Sequence, residues 1–138
     1  LLRQRGFRDF FVEAGGDIQT SGRNDRGEQW RVGIRNPFDV SGLINVVHLS
    51  GDAIATSGTY ERGEHIYDPV HGRPANAVAS LSVIAANVYD ADRFATAAFA
   101  MGERGIFFIE ATPGLEGCVI DWDRRAFCTT GFHKYLSP

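Results

Sequence analysis

The chain has 138 residues, a formal net charge of −3, and an ordinary globular composition with 43% hydrophobic and 22% charged residues. This length suits one domain at most and offers enough apolar residues for a core. No basic block stands out to neutralise phosphates, so nucleic acid is not an expected partner. No run approaches the roughly 18 apolar residues of a membrane-spanning helix. The chain starts without Met or a signal peptide, and we expect it to be the middle and end of something longer.

The first half of the chain predicts short strands separated by glycine-rich or polar turns. Leu1–Gly6 is typical of the last turns of a helix, and Phe10–Ala14 predicts a buried strand. Gly15 and Gly16 then break the strand, either as a tight turn or where a ligand approaches the backbone. Further strands are predicted over residues 18–20, 29–35 and 42–50, with Trp30, Val32 and Ile34 sharing one face of the second.

Small residues follow over Ala53–Gly58 and leave room for something flat or large to approach. The alternative is a plain strand or turn against a helix. Tyr60 has an amphipathic ring suited to stacking on a ligand, although a core Tyr with a bonded hydroxyl is equally consistent. Both interpretations stay open at this point.

The loop from His65 to Pro74 combines polar chemistry with turn residues that hold the chain rigid. A rigid loop that brings His65 and Asp68 together is a candidate site. The alternative is that Asp68 caps the turn and His65 bonds the backbone. We expect His71 to lie on the surface.

Apolar residues at helical spacing predict a helix over Tyr89–Met101, with Asp90 as the N-cap and Gly102 as the stop. Asp92 and Thr96 are four residues apart, which places a carboxylate and a hydroxyl on the same side. These are hard oxygen ligands of the kind Mg²⁺ takes while it keeps waters and phosphate oxygens. The alternative is a capping or dipole role for the Asp and a backbone bond for the Thr.

The secondary structure of the C-terminal third is predicted less clearly by its sequence. Residues 106–111 are apolar enough for a strand, whereas the family resemblance given below favours a short helix, and both stay open. A hairpin about residues 123–125 is predicted between two closing strands. It could bring Cys118 near Cys128, and a disulfide would suit an exported protein. Two unrelated buried thiols are favoured, because Cys behaves as a small hydrophobe.

Five blocks follow one another along the chain: GGDI from Gly15, WRVGI from Trp30, ATSGTY from Ala55, HIYDP from His65 with GRP from Gly72, and ADRFATAAFAMG from Ala91. This order of blocks resembles that of the ApbE family, the FAD:protein FMN transferases. It implies an α+β fold with a largely antiparallel sheet and flanking helices. It also implies that residues 1–138 are the C-terminal portion of the family domain.

The resemblance further implies a Mg²⁺-dependent enzyme that takes FAD, transfers FMN to a Thr or Ser of a target flavoprotein, and releases AMP. Some relatives instead hydrolyse FAD. The implied metal residues are Asp92, Ala95 and Thr96, and the implied catalytic residue is His65. The implied flavin-binding residues are Ser57, Gly58, Tyr60, Ile66 and Tyr67. A bacterial cell envelope or periplasm is the implied location. The family's remaining ligands come from a half that these residues do not supply.

A second interpretation is a non-catalytic remnant that acts as a flavin-binding or assembly module. The presence of both Asp92 and Thr96 favours the enzyme, because a remnant needs no metal pair. The isolated segment is expected to bind Mg²⁺ and FAD weakly, and its uncovered apolar surface favours self-association.

Overall fold

The computed structural model describes residues 1–59 and 66–136. The strands are β1 (Phe10–Ala14), β2 (Asp17–Ser21), β3 (Trp30–Asn36), β4 (Asp39–Leu49), β5 (Ala53–Gly58), β6 (Tyr67–Asp68), β7 (Arg73–Pro74), β8 (Ser80–Ala85), β9 (Glu116–Ile120) and β10 (Ala126–Cys128). The helices are α1 (Val88–Ala100) and α2 (Gly105–Glu110), with short 3-10 turns at Arg3–Arg5, Gly102–Arg104 and Phe132–Tyr135. Within these described residues, no helix is long and apolar enough to cross a membrane.

A six-stranded sheet organises the chain, with the strand order β1-β2-β5-β8-β9-β10 and antiparallel pairing throughout. The strands β3 and β4 form a separate hairpin, and β6 and β7 form a small one. This arrangement confirms the predicted α+β class with a largely antiparallel sheet and flanking helices.

Two cores cover the two faces of the sheet. The first lies between the sheet and the helices and includes Leu81, Val83, Ala95 and Phe99. The second lies between the sheet and the β3–β4 hairpin, which contributes residues such as Val32. Because both faces of the central strand β8 are covered, every one of its residues is buried.

The packing of α1 follows from its sequence. Ala91, Ala95, Ala98 and Phe99 recur at helical spacing and are all buried against the sheet. A Cβ atom on Gly105 would lie only 2.0 Å from the carbonyl oxygen of Ala98, so α2 can approach α1 this closely only with glycine there.

Several predictions about elements are confirmed. Gly15 and Gly16, with φ of 62° and 95°, form the tight turn between β1 and β2. The alternation of Trp30, Val32 and Ile34 is the inward face of β3. Gly6 ends a single helical turn in the left-handed region.

The structure corrects two predictions about elements and decides between the two alternatives of a third. Phe10–Ala14 is a strand, but four of its five residues are exposed, because in the part of the chain that the structure describes β1 lies at the edge of the sheet with β2 as its one partner. The N-cap of α1 is Asn87, not Asp90, which lies three residues later in the first turn. Residues 105–110 form a helix rather than a strand, which settles that open alternative.

The two cysteines form a disulfide, which corrects the favoured expectation of two separate thiols. Cys118 on β9 and Cys128 on β10 lie directly opposite each other in the antiparallel ladder. The turn that produces this register is closed by the side chain of Asp121, which accepts hydrogen bonds from Arg125. The same turn holds Arg124 at a φ of 64°.

Candidate functional site

The candidate site lies where α1 packs on β5 and β8. The first turn of α1 is fixed by a reciprocal cap: the backbone N–H of Asp90 donates to Asn87 Oδ1 at 2.9 Å, and Asn87 Nδ2 donates to Asp90 Oδ2 at 2.7 Å. The backbone N–H of Val88 donates to Gln19 Oε1 from β2 at 2.9 Å. Together these hydrogen bonds fix the first turn of α1 and attach it to β2 of the sheet.

Two hydroxyl groups from distant parts of the sequence meet at this contact. Ser57 Oγ on β5 lies 3.5 Å from Thr96 Oγ1 on α1. This distance is longer than a normal hydroxyl–hydroxyl hydrogen bond of about 2.8 Å, so neither group is fully used by the other. Ser57 is buried whereas Thr96 is exposed, which puts the pair at the boundary between the first core and solvent.

Asp92 lies one helical turn before Thr96 and is exposed. Its neighbours on the helix are already paired, since Arg93 Nη2 lies 2.7 Å from Asp90 Oδ1. Among the described residues, no hydrogen bond or ion pair holds the Asp92 carboxylate. Along this side of α1 lie the Asp92 carboxylate, unpaired among the described residues, and the Thr96 hydroxyl, with the Ser57 hydroxyl of β5 beside Thr96.

Ala95 lies between Asp92 and Thr96 on the buried face and packs into the first core. Its small side chain lets α1 lie close to the sheet. Its implied part in metal binding stays a prediction.

The predicted flavin residues that the structure describes lie at the end of β5 and in the following loop. Gly58 ends β5 and pairs with Ser80 of β8. Ile66 is buried, and its carbonyl oxygen accepts a hydrogen bond from Ala75 N–H at 2.8 Å, which anchors the start of the loop. Tyr67 is 59% exposed and is free to contact a ligand.

Asp68 holds the loop in shape through its hydrogen bonds to the residues that follow it. Its Oδ1 accepts from the backbone N–H groups of Val70 and His71, and its Oδ2 lies 2.5 Å from His71 Nδ1. The side-chain bond to His71 and the backbone bond to Val70 keep the pKa of the Asp68 carboxyl below its usual value. Asp68 therefore caps its turn, as one of the two interpretations predicted, while the part of both interpretations that concerns His65 lies outside the described residues. His71 is on the surface as expected.

Tyr60 and His65 lie outside the described residues. Their predicted roles in flavin contact and catalysis stay predictions.

The donor set fits Mg²⁺ in its chemistry. A carboxylate and a hydroxyl one turn apart, with a second hydroxyl beside them, are all hard oxygen groups. The described residues contain no group of three or more His, Cys, Asp or Glu side chains that could hold a metal ion. Mg²⁺ usually binds to one or two protein ligands and fills its other positions with waters and with phosphate oxygens of a bound substrate. Two protein ligands would therefore be enough.

Sequence reasoning missed two contacts that position this site. Asn87 is followed three residues later by Asp90, and this capping-box spacing was the available signal. Gln19 reaches Val88 across 69 positions of sequence, and no local pattern indicates that bond.

The fold and the site define an α+β domain that presents carboxylate and hydroxyl oxygens on a helix and on the strand packed against it. The sequence model of the ApbE family matches residues 1–119. This chain belongs to the ApbE family.

Individual relatives agree with this assignment. An FAD:protein FMN transferase of Vibrio cholerae is 34% identical and covers 99% of this chain and 45% of the relative. One from Rhodobacter capsulatus is 41% identical and covers 93% of this chain and 26% of the relative. This chain therefore spans less than half the length of these curated relatives.

Solved structures give the same result. The flavin transferase ApbE from Vibrio cholerae matches with a TM-score of 0.85 and 33% identity, over 98% of this chain and 47% of that chain. The ApbE protein from Thermotoga maritima matches with a TM-score of 0.84 and 29% identity, over 94% of this chain and 45% of that chain.

Proposed function

We propose that this chain forms the metal-binding and part of the flavin-binding site of a Mg²⁺-dependent FAD:protein FMN transferase. The reaction moves FMN from FAD to a Thr or Ser hydroxyl of a target flavoprotein and releases AMP. The observation that carries the proposal is the 3.5 Å contact between Ser57 Oγ and Thr96 Oγ1 where α1 meets β5, one helical turn from Asp92, in a chain of the ApbE family. Because the chain spans less than half of its relatives, we assign the activity to the complete gene product.

The charges on α1 support a cation at this place. A carboxylate with no compensating cation repels phosphate groups. Asp90 is compensated by Arg93 at 2.7 Å. Asp92 has no such partner among the described residues, so a bound pyrophosphate needs a cation between itself and Asp92. Asp92 and Thr96 are the residues that would hold Mg²⁺, which when bound neutralises charge on the phosphoryl oxygens.

The proposed transfer is a displacement at phosphorus. The acceptor hydroxyl oxygen bonds to the FMN phosphorus, the bridging P–O bond to AMP breaks, and the hydroxyl proton passes to a base. We assign that proton transfer to His65. The Ser57 hydroxyl, which Thr96 does not fully occupy, donates a hydrogen bond to the flavin portion of the substrate. We further assign flavin binding to Gly58, Tyr60, Ile66 and Tyr67.

The direct test incubates the complete gene product with FAD, MgCl₂ and an apo-flavoprotein that offers a Thr acceptor. Covalent flavin is measured by in-gel fluorescence after denaturation, and AMP is measured by chromatography. Equal amounts of protein-bound FMN and AMP support the transferase. Free FMN with AMP and no protein-bound flavin identifies a pyrophosphatase, and FAD binding without AMP identifies a non-catalytic module.

The disulfide supports a location for this protein. A bond between Cys118 and Cys128 persists in an oxidising compartment and is rare in the cytosol. We place the protein in the bacterial cell envelope. Alkylation of the protein under denaturing, non-reducing conditions, directly after cell lysis with a thiol trap, tests this: oxidised cysteines are expected, and two alkylated thiols contradict the placement.

A further inference from the structure

The half-buried side chain of Gln19 on β2 joins three parts of the chain. Its Nε2 donates to the backbone carbonyl oxygens of Thr20 at 3.0 Å and Gly51 at 3.1 Å. Its Oε1 accepts from the backbone N–H of Val88 at 2.9 Å. Gly51 lies in the turn before β5, and Val88 is the first residue of α1. Because the two carbonyl groups fix which end of the carboxamide donates, its oxygen faces α1.

Among the described residues, two polar contacts join α1 to the strands of the large sheet. The first is the bond from Val88 to Gln19 at the start of the helix. The second is the contact between Thr96 and Ser57, eight residues further along the helix. The Asn87 cap holds residues within the same helical turn and does not reach the sheet. The apolar packing of α1 is therefore fixed to the sheet by polar groups at these two points.

The two contacts are separated by similar lengths on the helix and on the strand. Gln19 pairs with Ala53 at the start of β5, and Ser57 lies four residues further along that strand. At about 3.4 Å per residue, this is about 14 Å along β5. The eight residues from Val88 to Thr96 rise about 12 Å along α1, at about 1.5 Å per residue. Helix α1 therefore runs beside β5 in the same direction, and both ends of this length are held.

Asp92 lies midway between the two contacts. Val88, Asp92 and Thr96 follow one another at intervals of four residues, so they lie along one side of α1. A movement of the helix along its own axis would carry Asp92 and Thr96 together past Ser57, whose place is fixed by the pairing of β5 with β8. The N–H groups at a helix start point along the helix axis. The bond from Val88 to Gln19 therefore opposes that movement.

We propose that Gln19 is a positioning residue for the metal site: it sets the place of α1 along β5, so that Asp92 and Thr96 hold Mg²⁺ at a fixed place relative to that strand. This inference rests on the proposed function, and it concerns a residue that touches neither metal nor substrate. Without the Gln19 oxygen, α1 keeps its internal cap and its apolar packing but loses the acceptor for its first N–H. The fold is therefore expected to survive while the metal ligands lose their exact placement.

The test compares two substitutions of Gln19 in the complete gene product. Gln19→Met and Gln19→Glu both remove the Nε2 donor, but only Gln19→Glu keeps an acceptor for the Val88 N–H. The pair therefore differs in the bond to α1. The first measurement is the Mg²⁺ concentration that gives half-maximal FMN transfer at saturating FAD. Gln19→Met is expected to raise this concentration about tenfold, and Gln19→Glu to stay within about twofold of wild type.

Thr129→Val is the control for a general loss of stability. It removes a hydroxyl that accepts from Gly117 N–H and donates to Glu116, beside β10 at the opposite end of the sheet from β2. It is expected to lower the midpoint of urea denaturation and to leave the Mg²⁺ requirement unchanged. A wild-type Mg²⁺ requirement in Gln19→Met, or an equal increase in Gln19→Glu or in Thr129→Val, overturns the proposal.

Hydrogen exchange followed by mass spectrometry gives a second readout that requires neither FAD nor Mg²⁺. Gln19→Met is expected to increase exchange in the peptide that covers the first turn of α1, whereas Gln19→Glu and Thr129→Val leave exchange there unchanged. This increase, in a protein whose wild type shows no Mg²⁺-dependent transfer, supports the placement of α1 by Gln19 and counts against the proposed function. Transfer by the wild type with unchanged exchange in Gln19→Met counts against the positioning role.

Discussion

Ser57 Oγ and Thr96 Oγ1 lie 3.5 Å apart, although 39 positions of sequence separate the two residues. The contact exists because Ala91, Ala95 and Ala98 let α1 lie close against β5. It joins one residue predicted to bind flavin to one residue predicted to bind the metal.

The Thr96 hydroxyl provides the first prediction. Thr96→Val keeps the shape of the side chain but removes the oxygen, and we expect about a 10- to 100-fold loss of FMN transfer with little change in stability. Thr96→Ser restores the oxygen and should recover most of the rate. Steady-state transfer assays of the three proteins measure this. Equal rates for the Val and Ser variants would show that the hydroxyl has no role.

The cap of α1 gives a prediction about stability alone. Asn87→Ala removes the acceptor for the Asp90 N–H and the donor to its carboxylate, so the free energy of unfolding should fall by about 1 kcal/mol. Asn87→Ser keeps a capping oxygen and serves as the control. Urea denaturation of the complete gene product checks the difference, and equal midpoints for Ala and Ser would contradict the assigned cap.

The disulfide should stabilise the C-terminal hairpin. Cys118 and Cys128 close a loop across 10 positions, for which the chain-entropy contribution is about 3 kcal/mol. We expect the double variant Cys118→Ala and Cys128→Ser to melt about 5–10 °C lower in calorimetry. Wild-type protein treated with reductant should match the variant. An unchanged melting temperature in both would rule out this stabilising role.

The proposed role of His65 gives a prediction about the rate of FMN transfer. If it accepts the proton of the acceptor hydroxyl, His65→Ala lowers transfer more than it weakens FAD binding. Calorimetric FAD titration and transfer rates are measured on the same preparation. A fall in affinity that accounts for the whole loss of rate means that His65 only shapes the pocket.

Much of the fold followed from local patterns. Strand β3 was predictable because Trp30, Val32 and Ile34 alternate with polar residues. Helix α1 was predictable because its small and apolar residues recur at helical spacing. Each of these patterns lies within a single helix or strand, so it can be recognised from the local sequence alone.

Features that depend on neighbouring elements were not predictable. The exposure of Phe10–Ala14 depends on what lies beside the sheet edge, not on the hydrophobicity of the strand itself. The pairing of Cys118 with Cys128 depends on the register of β9 and β10. The i,i+4 spacing predicted that Asp92 and Thr96 share a side, but only the packing of α1 on β5 brings Ser57 to Thr96.

The most direct test of the central claim is Mg²⁺-dependent FMN transfer by Asp92→Ala, with Asp90→Ala as the matched control. Asp92 is exposed and unpaired among the described residues, so its loss leaves the fold intact, whereas Asp90 serves the helix cap and Arg93. We predict that Asp92→Ala lowers the transfer rate by about 10³-fold or more at low Mg²⁺, and that Asp90→Ala loses stability but keeps transfer. Undiminished transfer by Asp92→Ala at low Mg²⁺ would contradict the account.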